Sequence, residues 1–194
     1  MSNKVSVITV VYNDVKHIRQ TMESFFSQTW ADKEYIVIDG GSSDGTADIV
    51  REYADRLAFW CSEKDGGIYD AMNKGVSHCS GDWINILNSG DVYVGNRALE
   101  SALAVEDIDN VDVIYGNSIE VNNGDKTSVI AGDNPEELEY SPVYRHGSSL
   151  VRTSVHKKFL FDLSKRGGLG FALDWDMTHS VYSAGYKLKK VDCS

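Results

Sequence analysis

The chain has 194 residues, 42% hydrophobic and 25% charged, which is enough apolar material for one domain with a substantial core. It contains no run approaching the roughly 20 apolar residues that a membrane helix needs, and its net charge of −10 argues against a nucleic-acid backbone as partner. Cys61, Cys79 and Cys193 are odd in number and lack close pairing, so neither a disulfide framework nor a zinc site is indicated and reduced thiols are expected.

The elements follow in chain order. Lys4 to Tyr12, "KVSVITVVY", is nearly continuous in Val and Ile, as expected of a strand buried on both faces. Thr9 breaks its apolar stretch, which is too short for a secretory signal, so the expected location is the cytoplasm. A first helix is predicted from near Asp14, whose side chain could cap it, with Ile18, Met22, Phe25 and Phe26 at three-to-four spacing. Strands are predicted at Glu34 to Asp39, Leu57 to Ser62 and Asp82 to Leu87, and helices at Thr46 to Tyr53 and Ile68 to Ser77. This alternation predicts an α/β fold with a mainly parallel, Rossmann-like sheet in the first half.

Beyond it, Asn96 to Ala104 reads as helix, Asp112 to Tyr115 as strand, Ala172 to Ala184 as helix and "GYKLKKV" as a final strand. Asn123-Gly124 is a hairpin signal, so the second half is expected to add antiparallel strands. Charge divides the same way. Met1 to Tyr144 carries 10 basic and 25 acidic residues, net −15, whereas Arg145 to Ser194 carries 9 basic and 4 acidic, net +5. That basic quarter is either a solvated face or a surface that meets an anion such as a phosphate or lipid headgroup.

In an open α/β sheet, ligands gather where strands end at their carboxyl termini. There the sequence places Tyr12, Asn13 and Asp14; then "DGGSSDGT", Asp39 to Thr46; then "SEKDGGIYDAMNKG", Ser62 to Gly75; then "NSGD", Asn88 to Asp91. The glycines allow a ligand close to the backbone, and Asp39 offers an acceptor to a base or ribose. The same segment equally reads as a connection in which Ser43 or Asp44 caps the next helix. It is neither a dinucleotide fingerprint nor a P-loop. Acidic, glycine-flanked strand ends suit a nucleotide diphosphate arriving with Mg²⁺ or Mn²⁺.

"VSVITVVYND", "IVIDGGSSDGT", "SEKDGGIYDAMNKG", "GDWINILNSGD", "HGSSLVR" and "LDWDM" together resemble, in order and spacing, the inverting family 2 glycosyltransferases of GT-A fold. The likeness is nearest to the branch acting in bacterial colanic-acid-like, capsular and O-antigen polysaccharide synthesis, and runs from about Val5 to Val191. It implies one GT-A domain over 1–194, with 1–95 holding the nucleotide-sugar and 96–194 the acceptor and catalytic base. It implies that Thr9, Val11, Tyr12 and Asn13 line the nucleotide pocket, that Asp39 binds the base, usually uracil, and that Asp65 and Asn73 lie along the ribose and sugar-diphosphate path. "NSGD" stands where the family carries its Asp-x-Asp metal motif. Asn88 and Gly90 replace two carboxylates there, which leaves Asn88 and Ser89 beside the donor and Asp91 to hold a divalent cation weakly, with phosphate oxygens and water. A turn without metal, in which Asp91 caps the helix near Asn96, is the other reading.

The family's catalytic base falls on Asp174, with Asp176 as runner-up; two solvated helix carboxylates would have the same spacing. His146 matches a histidine that reaches the diphosphate or the metal, and Trp175 is either a sugar-stacking wall or core. The expected reaction is transfer from a UDP-sugar to a hydroxyl of a polysaccharide or lipid-linked oligosaccharide, with peripheral contact at the inner membrane face. The rival readings are a nucleotide-sugar pyrophosphorylase-like enzyme, which would want a basic, glycine-rich loop where "VYNDVKH" stands, and a non-catalytic sugar-nucleotide-binding module. Relatives usually continue for tens of residues past "KKVDCS", so a further C-terminal part is expected.

Overall fold

The computed structural model describes residues 3–122 and 124–191. Its elements are β1 (Val5–Val11), α1 (Ile18–Phe26), β2 (Lys33–Asp39), α2 (Thr46–Glu52), β3 (Phe59–Ser62), α3 (Ile68–Ser77), β4 (Trp83–Ile86), α4 (Ala98–Leu103), β5 (Val113–Gly116), β6 (Ser118–Asn122), β7 (Asp125–Val129), β8 (Ser149–Arg152), α5 (Thr153–Lys158), α6 (Arg166–Leu169), α7 (Leu173–Ser183) and β9 (Leu188–Val191). Seven strands form one sheet in the order β3-β2-β1-β4-β8-β5-β9, and β6 and β7 pair separately. β3, β2, β1 and β4 are mutually parallel, β8 runs antiparallel to both β4 and β5, and β9 pairs parallel with β5. The mainly parallel sheet with added antiparallel strands is the architecture expected from the sequence.

Alternation along β1 builds two cores, because successive side chains of a strand leave opposite faces. Ile8 and Val10, with Ile36, Ile38, Ile84 and Ile86, pack under α3, α5 and α7 through Met72, Val76, Val155, Met177 and Val181. Val5, Val7 and Val11, with Val37 and Trp83, pack under α1, α2 and α4 through Met22, Phe25, Val50, Leu99 and Leu103. α3 lies so close to β1 that a Cβ at Gly75 would come within 2.5 Å of Ile8 Cγ2.

Several boundaries differ from the pattern. α1 starts at Ile18, and Asp14 gives no side-chain cap; only its carbonyl accepts from His17 N and Ile18 N. β3 starts two residues late because Ala54–Arg56 winds into a 3-10 turn whose Ala54 carbonyl takes Leu57 N. The hairpin is present, with Asn122 opposite Asp125 and Gly124 at φ +89°, although Asn123 of the predicted turn lies outside the described residues, as does Cys193. Cys61 and Cys79 are free thiols.

Candidate active site

The chain leaves β1 toward β2 on one side and later returns to β4 on the other, so the crevice opens at the carboxyl ends of β1 and β4. The loops above it are laced together by their own polar groups. Asn13 adopts φ +52°, which a short amide tolerates better than most side chains. In that pose its N–H donates to Ser42 Oγ (2.7 Å) and its Oδ1 accepts from Ser43 N (2.9 Å). Tyr12 is left pointing out, 66% exposed, beside Gly40 and Asp65. Thr9 and Val11 are buried beneath it; the Thr9 hydroxyl is engaged by Tyr35 Oη (2.7 Å) and the Leu87 carbonyl (2.6 Å). These two side chains therefore support the loops from below rather than form their surface.

Asp39, at the end of β2, is fully buried, and its oxygens accept from Ser42 Oγ, Ser42 N and Ser62 Oγ. The loop after β3 is pinned by two carboxylates, Asp65 Oδ1 accepting from Gly67 N and Asp70 Oδ2 from Gly66 N, both at 2.8 Å. Arg166 reaches across from α6 to donate to the Gly66 carbonyl and lies against Gly67, whose φ of +110° only glycine adopts freely. Asn73 commits its amide to the backbone of Phe161 at both ends, Nδ2 to O (2.9 Å) and Oδ1 from N (3.0 Å). It thereby ties α3 to the segment that follows α5.

Beyond β4, Asn88 to Asp91 form a turn closed by Asp91 N on the Asn88 carbonyl (3.0 Å), with Gly90 at φ +95° in the third position where such turns require it. Ser89 Oγ donates to Asp14 Oδ2 (2.7 Å), while Asp14 Oδ1 meets His17 Nδ1 (2.5 Å), so Asp14 joins the first loop to this turn. Asn88 Oδ1 is buried without a partner among the described residues. Asp91 is exposed, its carboxylate has no hydrogen-bond or ion-pair partner among the described residues, and partial desolvation raises its pKa. It does not cap α4, which starts at Ala98 with no side-chain cap. Its Oδ2 lies 3.8 Å from where a Cβ of Gly147 would stand.

Gly147 belongs to the short turn His146–Ser148, and through that turn the two ends of the site meet. His146 and Asp174 line one pocket with Tyr144, Trp175 and Thr178. Burial holds the His146 imidazole down at about 4, so it is neutral at neutral pH and keeps a lone pair to give. The Tyr69 hydroxyl donates its one proton to the Phe171 carbonyl (2.5 Å) and lies 3.4 Å from Asp174 Oδ1. Burial first, and the neighbouring Asp174 charge second, push the Tyr69 phenol up to about 12, so it stays a donor. Asp176 turns away to an ion pair with Lys165 (2.8 Å). Trp175 packs against the core with its indole N–H on the Leu138 carbonyl (2.8 Å). Asp14, Tyr69 and Arg166 were not singled out in the sequence for these places, because their partners lie 75 to 105 positions away.

No group of three or more His, Cys, Asp and Glu side chains suited to a metal occurs among the described residues. What stands at the end of β4 is an unpartnered carboxylate with an orphaned amide oxygen close by in sequence, hard donors that fit a divalent cation bringing further oxygens from substrate and water.

The Glycosyl transferase family 2 model matches residues 6–162. Similar chains include an uncharacterized glycosyltransferase of Mycobacterium tuberculosis, 41% identical over 100 residues that cover 51% of this chain and 38% of that protein. Another is the Escherichia coli UDP-Glc:alpha-D-GlcNAc-diphosphoundecaprenol beta-1,3-glucosyltransferase WfgD, 29% identical over 143 residues that cover 73% of this chain and 55% of WfgD. The chain thus spans from about two fifths to about half the length of these relatives. Among solved structures, S. aureus TarS superposes with a TM-score of 0.78 at 22% identity, over 98% of this chain and 35% of TarS. The Pyrobaculum calidifontis mannosyltransferase PcManGT, solved with GDP-Man and Mn²⁺, gives 0.71 at 18%, over 98% and 56%. With the family model spanning most of the sequence and the fold shared over nearly all of it, this chain belongs to glycosyl transferase family 2 and has the GT-A fold.

Proposed function

We propose that this chain transfers a sugar from a nucleoside diphosphate, UDP in the first instance, to a hydroxyl of a polysaccharide or lipid-linked saccharide, with inversion at the anomeric carbon. The observation that carries the reading is the His146–Ser148 turn, which lies beside the Asp91 carboxylate at Gly147 and shares a small pocket with Asp174 at His146. The choice of UDP draws on WfgD, whose name gives UDP-Glc as donor, and on TarS, which is solved with UDP-GlcNAc.

In this mechanism the acceptor hydroxyl attacks the anomeric carbon and gives its proton to an Asp174 carboxylate oxygen. The bond to the β-phosphate oxygen breaks on the opposite face, and its electron pair leaves with the diphosphate. Asp91, Asn88 and His146 would hold a Mn²⁺ or Mg²⁺ ion, whose chemistry when bound would be to offset negative charge on the diphosphate. Tyr12, Asn13, Asp39, Asp65 and Ser89 shape the nucleotide side, Asn13 and Asp39 through the loops they fix. No helix among the described residues is long and apolar enough to cross a membrane. The exposed Lys187 and Lys189 of the basic last quarter are the side chains that support peripheral contact with an anionic headgroup or a lipid diphosphate.

Calorimetric titration of UDP with and without Mn²⁺, on the natural chain and on Asp91→Asn, tests the donor half. Manganese-dependent binding that disappears in the variant is expected. Binding that ignores Mn²⁺, or survives Asp91→Asn unchanged, removes Asp91 from the role given to it.

A further inference from the structure

His156 is a buried histidine that the mechanism above does not use. It sits on α5, against α3 and the sheet, with 1% of its surface exposed, and neither ring nitrogen has a hydrogen-bond partner among the described residues. The only other histidine nitrogen in that condition among the described residues is Nδ1 of His146. The two rings stand edge to face, centroids 6.2 Å apart and planes at 80°. Phe161 closes the third side, 5.5 Å from each, and is itself held by the Asn73 amide.

Leaving Nδ1 of His146 and the His156 nitrogen nearest it dry and unpaired would cost about 1 to 3 kcal/mol apiece, and buried polar groups in folded proteins nearly always find a partner. Ring nitrogens of two imidazoles at this separation can approach to roughly 4 to 5 Å, a span that one water closes with two ordinary hydrogen bonds. Phe161 offers no polar alternative. A histidine that presents Nε2 to a cation or a phosphate must be fixed in one tautomer by what its other nitrogen meets.

We propose that His156 is the positioning residue for His146: through one bridging water it accepts from the Nδ1–H of His146, which fixes the tautomer whose Nε2 lone pair is free for the diphosphate-bound cation. The proposal deepens the donor-site reading and rests on it for the purpose of that lone pair, but the hydrogen bond itself can be tested with no ligand present.

The test is long-range ¹H–¹⁵N correlation of the imidazole nitrogens at neutral pH, on the natural chain, His156→Phe, His156→Met and His156→Gln, with Mn²⁺-dependent UDP titration of each. His146 is expected as a single Nδ1–H tautomer in the natural chain. It should become mixed or inverted in the Phe and Met variants, which cannot accept, and return in Gln, whose side-chain oxygen can. Manganese-dependent UDP affinity should fall about tenfold or more in the two apolar variants, the usual scale for a lost outer partner of a metal ligand, and recover in Gln. Two apolar replacements of different shape guard against one failing to fold. An unchanged His146 tautomer in a folded His156→Phe or His156→Met chain overturns the proposal. If the tautomer shifts but His146→Ala binds UDP and Mn²⁺ as before, the ligand role of His146 fails while the pairing with His156 stands.

Discussion

Replacing Glu34 by glutamine removes one charge from a carboxylate that ties three pieces of the sheet together at the end opposite the candidate site. Glu34 Oε1 accepts from Ser6 Oγ and Ser80 N, both at 2.6 Å, and Oε2 from Ser80 Oγ at 2.7 Å with Lys4 Nζ at 2.6 Å. Burial alone would raise its pKa, but the hydrogen bonds from Lys4, Ser6 and Ser80 outweigh that and hold the carboxyl at about 2, against an ordinary 4.5. Because the folded value is depressed, the unfolded chain takes up the proton first as pH falls. The stabilisation is therefore complete above the unfolded pKa and is lost between about pH 4.5 and 2. At about 1.4 kcal/mol per pH unit the gap is worth at most about 3.4 kcal/mol, and the partly exposed Lys4 partner lowers this to about 2 kcal/mol. Urea denaturation from pH 7 to pH 2.5 should show Glu34→Gln less stable by about that amount at neutral pH, with the difference closing as the pH falls through the window. A difference that stays constant with pH would mean that the folded and unfolded values are alike, and the account of the anchor would be wrong.

Asp174→Asn should lower turnover of UDP-sugar with acceptor at least about a hundredfold while leaving UDP affinity within about twofold; near-normal turnover would move the base elsewhere. Asn73→Leu strands the N–H and C=O of the buried Phe161, and should cost about 2 to 4 kcal/mol, read as a lower urea midpoint with an unchanged slope. A loss below about 0.5 kcal/mol would show that water replaces both bonds. Gly67→Ala meets two obstacles, a φ of +110° and a Cβ 2.5 Å from Arg166 Nη2. The arginine tip can move but the backbone cannot, so a cost of about 1 to 3 kcal/mol should persist when Arg166→Ala is added. Full recovery in the double variant would assign the cost to the clash alone.

The parallel half was legible in the sequence because a strand buried on both faces must be continuously apolar and β-branched, as "VSVITVV" is, while glycine clusters mark the chain turning at its end. The ten residues of α3 were readable to the last position, since Tyr69, Met72 and Val76 repeat at helical spacing under a glycine start. β8 was not read as a strand. Its four residues carry little pattern, and its antiparallel place between β4 and β5 comes from both neighbours rather than from "SLVR" itself. Asp14 misled for a related reason: the residue type suits a helix cap, yet the hydroxyl of Ser89, 75 positions on, takes the carboxylate instead.

The sequence by itself settled the α/β alternation, the crevice at the strand ends and the family, because periodicity, glycine placement and motif order are local or ordered along one dimension. Tertiary structure alone decided which carboxylates remain free. Asp39 is closed in by Ser42 and Ser62, Asp65 and Asp70 hold the backbone of Gly67 and Gly66, and Asp176 is paired with Lys165. Among the described residues Asp91 is left without a partner, and Asp174 has only the Tyr69 hydroxyl 3.4 Å away and lines a pocket with His146. A carboxylate's availability depends on which donors reach it in space, and those donors come from loops dozens of residues away that only the folded sheet brings side by side.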